Sequence, residues 1–257
     1  MLTPPEIARS LLAAGENKAK LPAGRAFLLA VLAGAYVALA GVGATVAAVT
    51  VENASLAKLL SACIFPAGLS MVILAGSELF TGNCLMVMAR MERRVSTARL
   101  LRSWLTVYLG NAVGGIAVAA LAVAGGTPSL FGGALARSMV SIAEGKAALD
   151  FAETFVRGVL CNVLVCLAVW MAAGAKRPEG KIAALFFPVM LFVLCGYEHC
   201  IANLYYLPAG VFVAKRYGID AALTAGGCLA NLVSVTLGNL VGGAALGAAY
   251  RQAYLKE

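Results

Sequence analysis

Gly76-Ser77-Glu78-Leu79-Phe80-Thr81-Gly82-Asn83 returns 120 residues later as Gly196-Tyr197-Glu198-His199-Cys200-Ile201-Ala202-Asn203. Gly, Glu and Asn hold the same places in both octets. Phe65-Pro66 and Phe187-Pro188 precede them at an offset of 122. A second phrase follows each octet, Leu109-Gly110-Asn111-Ala112-Val113-Gly114-Gly115 and Leu237-Gly238-Asn239-Leu240-Val241-Gly242-Gly243. Two phrases repeated in one order mark an internal duplication. Each octet interrupts an apolar run, and the apolar runs decide the class of protein.

Hydrophobic residues make up 61% of the 257 and charged residues 12%. A soluble globule carries roughly 25% charged residues, so this chain cannot cover a water-facing surface. Charge-free stretches run for 26 residues between Arg25 and Glu52, 19 between Lys58 and Glu78, and 34 between Arg102 and Arg137. Further on they run for 18 between Arg157 and Lys176, 16 between Lys181 and Glu198, and 30 between Asp220 and Arg251. About 20 apolar residues cross the hydrocarbon core as a helix. The 34-residue stretch ends in a Gly-rich segment, Gly125 to Gly133, read as a loop. Six spans result, three in each repeat. Three is odd, so the halves insert in opposite directions. The expected fold is an all-α membrane protein of six transmembrane helices in a 3+3 inverted repeat, with the second and fifth helices broken at the octets. It forms one transmembrane domain over 1–257, with repeats at 23–124 and 148–251.

Residues 1–22 read as an amphipathic helix on the membrane interface, with Ile7, Ala8, Leu11 and Leu12 turned away from Arg9, Glu16 and Lys20. With the N-terminus inside, residues 1–25, the loops 90–102 and 176–181 and the tail from Arg251 hold 14 of the 20 Lys and Arg. That distribution satisfies the positive-inside rule and puts both termini in the cytoplasm of a multi-pass inner-membrane protein. The net charge of +8 is thereby explained by topology, not by nucleic acid. The opening MLTPPEIARS has no basic region leading into an apolar core and does not read as a cleaved signal. One His and no CxxC pair predict no metal site, and the seven Cys read as small buried hydrophobes. No nucleotide fingerprint or cofactor motif is present, and no paired catalytic acids flank the histidine, so an enzyme is not expected. Gly238 and Gly242, like Gly243 and Gly247, are spaced for close helix packing.

Only Cys84 to Ala89 separates the first octet from Arg90, so the second helix is expected to break and resume as a stub, with Leu204 to Ala214 matching it in the second half. Non-helical backbone at membrane depth survives only where protein or a water-lined cavity satisfies it. Facing broken helices build a permeation site near the midplane, and their positive N-terminal ends suit an anion. His199, an ionisable residue within a span, is therefore a functional candidate. Thr81 in the other break offers a hydroxyl to an anion or to the histidine. Bare carboxylates would repel an anion, so Glu78 and Glu198 are read as structural, accepting from free backbone N–H groups or holding a partner such as His199. Asn83 and Asn203 read as N-caps of the resumed helices.

SELFTGN at 77–83, CNVLVCLAVWMA at 161–172, GYEHCIANLYYLPAG at 196–210 and TLGNLVGG at 236–243 resemble the formate/nitrite transporter family, and the resemblance extends over essentially the whole chain. It implies an aquaporin-like protomer in a homopentamer, each protomer with its own pore for formate, nitrite, hydrosulfide or lactate, and no cofactor. It makes His199 the central pore residue and Thr81 its opposite. Leu79, Phe80, Val165, Phe65 and Phe192 match apolar constrictions, and Asn162 matches a polar residue at the inner one. Lys146, placed in a long external loop, matches a lysine that draws anions into the outer vestibule. The implied function is a channel for small anions of weak acids, formate or nitrite before hydrosulfide, with a proton linked through His199. The more distant alternative, an aquaporin-like neutral-solute channel, lacks its Asn-Pro-Ala pair in both breaks.

Overall fold

The computed structural model describes residues 1–256, and all regular structure among them is helical. Five stretches are long and apolar enough to cross a membrane unaided: α2 (Ala23–Ala48), α3 (Ala54–Ile64) continued by α4 (Pro66–Ala75), α7 (Thr97–Ala124), α9 (Phe151–Gly174) and α12 (Ala225–Tyr254). The sixth, α10 (Pro178–Leu194), has 17 residues, about 25 Å at 1.5 Å per residue. It continues beyond its break as α11 (Cys200–Tyr217).

Within each half the outer spans pack backbone to backbone, α2 on α7 and α9 on α12. A Cβ on Gly114 would lie 2.0 Å from the Val31 carbonyl, and one on Gly242 would lie 2.2 Å from the Val159 carbonyl. Only a residue without a side chain permits these approaches. Glycine packing was expected of α12, and the same device serves α7. Leu105, Leu121, Phe187 and Leu229 lie more than 60% exposed on the outer surface. Lipid or a neighbouring subunit covers such a belt in an integral membrane protein.

Four segments depart from the sequence reading. The resumed second span is a chain of short pieces, α5 (Phe80–Asn83), a 3-10 turn over Cys84–Met86 and α6 (Val87–Met91). Its counterpart α11 starts at Cys200 and runs for 18 residues, a full helix where a stub was expected. The external segment is not all loop. A 3-10 stretch over Thr127–Gly133 leads into α8 (Ala134–Ala147), which carries Lys146 in its last turn. The N-terminal helix α1 (Pro4–Lys20) turns Ile7, Ala8, Leu12, Gly15 and Ala19 onto the end of the bundle, against Met86, Met88, Ala89 and Trp170. Its apolar face thus covers protein. Leu2 N–H donates to the Gly174 carbonyl at 2.8 Å and Arg94 pairs with Glu16 at 2.9 Å, fastening both ends.

Candidate functional site

The two breaks are built to one plan. Gly76 and Gly196 end their helices in the left-handed region, at φ +77° and +71°, which only glycine adopts readily. Three residues of extended chain follow, and the helix resumes after Leu79 and His199, both β-like at φ −111° and −115°. Glu78 N–H donates to the Leu29 carbonyl and Glu198 N–H to the Arg157 carbonyl, each across to a neighbouring span. One asparagine then closes each break. Asn111 Oδ1 accepts from Phe80 N–H at 2.9 Å, while its Nδ2 donates to the carbonyls of Glu78 and Ala30. Asn239 Oδ1 accepts from Cys200 N–H at 2.9 Å, while its Nδ2 donates to the carbonyls of Glu198 and Gly158. Both side chains are fully buried. They satisfy backbone groups that would otherwise stand bare at membrane depth. The repeated Leu-Gly-Asn phrase was visible in the sequence, but no role attached to its asparagine.

The carboxylates are held by lysines. Glu78 accepts from Lys18 Nζ at 2.8 and 2.9 Å and from Asn83 Nδ2 at 2.7 Å, and Lys18 also donates to Asn83 Oδ1. Glu198 accepts from Lys146 Nζ at 2.8 and 2.9 Å and from Asn203 Nδ2 at 2.7 Å. Asn203 also donates to Asn231, whose amide returns to the Lys146 carbonyl. Two readings are corrected here. Asn83 and Asn203 are not N-caps, since each lies inside its resumed helix with its amide on a carboxylate. Nor does Glu198 hold His199. Each Asn follows its Glu by five positions, and the extended turn brings the two side chains together; Lys18 bonds both members of its pair, whereas Lys146 bonds Glu198 alone. Lys18, missed in the sequence, belongs to the site.

Between the breaks stand His199 and Thr81. Thr81 Oγ1 lies 3.0 Å from His199 Nε2, with Thr81 fully buried and His199 4% exposed. His199 Nδ1 accepts from Ala202 N–H at 3.1 Å, so the imidazole itself caps α11. That bond fixes the ring. Nδ1 must carry the lone pair, leaving the proton on Nε2 to be donated to the threonine. Phe192 stacks on the imidazole at 5.8 Å and meets Phe65 edge-on at 5.7 Å. Asn162, fully buried, donates to the carbonyls of Thr81 and Asn239. It tethers the Thr81 segment to α12. Phe80 packs edge-on against Tyr108 at 5.1 Å.

Three cavities line up through this point. A vestibule of about 290 Å³ on the α1 side is lined by Lys18, Ser77, Glu78, Leu69 and Leu79, among others. Leu69 and Leu79 also bound a chamber of about 10 Å³, with Val37, Val165, Val189, Phe65, Phe192 and His199. The last three bound in turn a vestibule of about 140 Å³ on the far side, where Lys58, Lys146 and Glu198 lie. Leu79 and Val165 therefore face the chamber, and Phe65 and Phe192 close its other end.

A line of cavities through an inverted repeat of spans, pinched by apolar side chains at one histidine, defines an integral-membrane channel. Residues 5–252 match the family model described as formate/nitrite transporter. A probable formate transporter of Methanothermobacter thermautotrophicus is 39% identical, over 99% of this chain and 98% of the relative. The formate channel FocA of Haemophilus influenzae is 37% identical, over 85% and 82%. A solved pentameric formate channel with formate bound superposes with a TM-score of 0.84 at 35% identity, covering 91% of this chain and 98% of that one. The chain belongs to the formate/nitrite transporter family.

Proposed function

We propose that this channel carries small monovalent anions of weak acids, formate or nitrite before hydrosulfide, and that a proton crosses with each. The observation that carries the reading is the chamber. Its volume of about 10 Å³ is room for about one water, so a hydrated anion must shed its shell there. An ionised group at the bilayer centre costs about 2.5–3.5 kcal/mol even on lenient insertion scales. Protonation removes that penalty, and formate and nitrite are bases of weak acids. The anion takes its proton from vestibule water and meets His199 as the neutral acid. His199 Nε2–H and the Thr81 hydroxyl then offer the hydrogen bonds that its lost water supplied. The neutral imidazole does not release a proton itself. As an imidazolium it would set an Nδ1–H against the Ala202 N–H, and as an imidazolate it is far too strong a base. Asn162 acts through Thr81, by holding its backbone. Phe80 supports the break from behind.

The physiological unit in this reading is a homopentamer in the inner membrane, with both termini, α1 and the larger vestibule on the cytoplasmic side. The far vestibule then faces out. The pentameric relative with formate bound and the concentration of Lys and Arg in four segments support these assignments. Proteoliposomes given equal gradients of formate, nitrite, hydrosulfide and glycerol test the cargo. Protein-dependent flux of formate or nitrite above hydrosulfide is the expected order. Flux of glycerol alone would make this a neutral-solute channel.

A further inference from the structure

The lysine that the family resemblance casts as the anion attractor is not available for that task. Lys146 Nζ sits on both oxygens of Glu198, so the pair presents no net charge to the far vestibule. The vestibule on the α1 side is in the same condition, since its charged lining is the paired Lys18 and Glu78. The far vestibule differs by one residue. Lys58 lines it together with Ser61 and Phe65. These three recur at i, i+3 and i+7 of one helical stretch, so they share a face. That face runs about 10 Å from Lys58 down to the Phe65 constriction, at 1.5 Å per residue. Among the described residues, no carboxylate lies within ion-pair distance of Lys58. Arg157, the other cation near this mouth, is occupied by Glu153 and the Gly196 carbonyl.

We propose that Lys58 is the anion-capture residue of the far vestibule, the one uncompensated charge between the outside and His199. The inference rests on the anion-channel reading above. A cleft with low-dielectric walls and a single sign of charge concentrates the opposite ion. An ammonium on a flexible stem can engage an anion that is still hydrated and release it toward the constriction. Lys146 and Glu198 then serve as fixed scaffolding for the break. The asymmetry makes capture a property of one face of the membrane.

The test uses full-length pentamer in right-side-out vesicles, with isotope-labelled formate added outside. Lys58→Gln is expected to raise the half-saturation concentration about three- to tenfold, with the saturating rate held within about twofold. Wild-type uptake at low formate should fall as salt rises from about 10 to 150 mM, because screening shortens the reach of the charge to about 8 Å. Lys58→Gln should flatten that dependence and Lys58→Arg restore it. An unchanged half-saturation with an unchanged salt response overturns the assignment, and so does loss of saturating rate alone, which would mark a structural lysine. Wild-type uptake that is itself insensitive to salt overturns it without any variant. Failure of the underlying reading would look different: wild-type vesicles would carry no formate at any concentration.

Discussion

The first and second breaks share nearly every bond and differ in what they present to the pore. Gly76 and Gly196 make the same turn, Asn111 and Asn239 close the same three backbone groups, and a Lys-Glu-Asn set locks each. Yet the residue that ends the extended segment is Leu79 in one and His199 in the other, and two places on Thr81 faces Ile201 in register. The common bonds are the physics of breaking a helix in lipid. Of the unlike residues, Leu79 and His199 line the chamber. A symmetric frame thus carries an asymmetric centre, in which the equivalent places hold Leu79 and Thr81 in one half and His199 and Ile201 in the other.

The largest effect should come from breaking what the halves share. Asn239→Leu removes an acceptor and two donated bonds at fully buried backbone groups, each worth about 1–3 kcal/mol when left unsatisfied. Loss of folded pentamer on size-exclusion chromatography is expected, and Asn111→Leu should behave alike. Recovery of either variant at wild-type yield would show that the break satisfies itself some other way.

The next effect separates the two ion pairs. Lys146 and Glu198 side chains are 17% and 6% exposed, against 30% and 9% for Lys18 and Glu78. Removing one partner of a buried pair costs about 3–5 kcal/mol, and solvent moderates that at Lys18. Lys146→Ala should therefore lower the thermal midpoint more than Lys18→Ala. Equal shifts would mean that the N-terminal helix is as integral to its break as α8 is to the other.

At the centre, His199→Phe removes both the pore donor and the cap of α11. Formate flux should fall about tenfold or more, the worth of a hydrogen bond or two in a water-poor site. His199→Asn keeps a donor and a good capping residue, and should retain more flux than His199→Phe together with its proton coupling. Coupled flux lost in both variants alike would restore the histidine as a proton relay.

The smallest effect lies at the edge. Thr3 N–H and hydroxyl both donate to Glu6, at 2.7 and 2.8 Å, and hold its carboxyl below the usual 4.5. A depressed carboxyl contributes stability above its ordinary pKa and loses it as pH falls through the folded value. Glu6→Gln should fray the start of α1 at neutral pH, seen as faster proteolysis near the N-terminus, with the difference from wild type shrinking below pH 4.5.

Much of this was legible in the chain. Six charge-free stretches and an exact offset of 120 reveal the spans, their opposed insertion and the place of both breaks. His199 and Thr81 stand out because polar residues inside a span need a reason. What stayed hidden is tertiary. Nothing local links Asn111 to Glu78, 33 residues away, or Lys18 to Glu78, 60 away. The asparagines misread as caps show the same limit. An Asn near a helix start fits capping chemistry, but the capping place falls to His199 in the second break and to Leu79, which makes no side-chain cap, in the first, and both amides go to a carboxylate. The closing of an external segment into α8 escaped notice because its glycines suggested a loop throughout.

The most direct test is a paired reading of isotope-labelled formate and internal pH in proteoliposomes with the membrane potential clamped at zero and then stepped. In the proposed mechanism a neutral imidazole beside a chamber that holds about one water passes the cargo uncharged. Internal acidification should then match formate gained, ion for ion, and the rate should ignore the potential. Formate uptake without acidification, rising as the inside is made positive, would mean that the bare anion crosses and that His199 carries a charge after all.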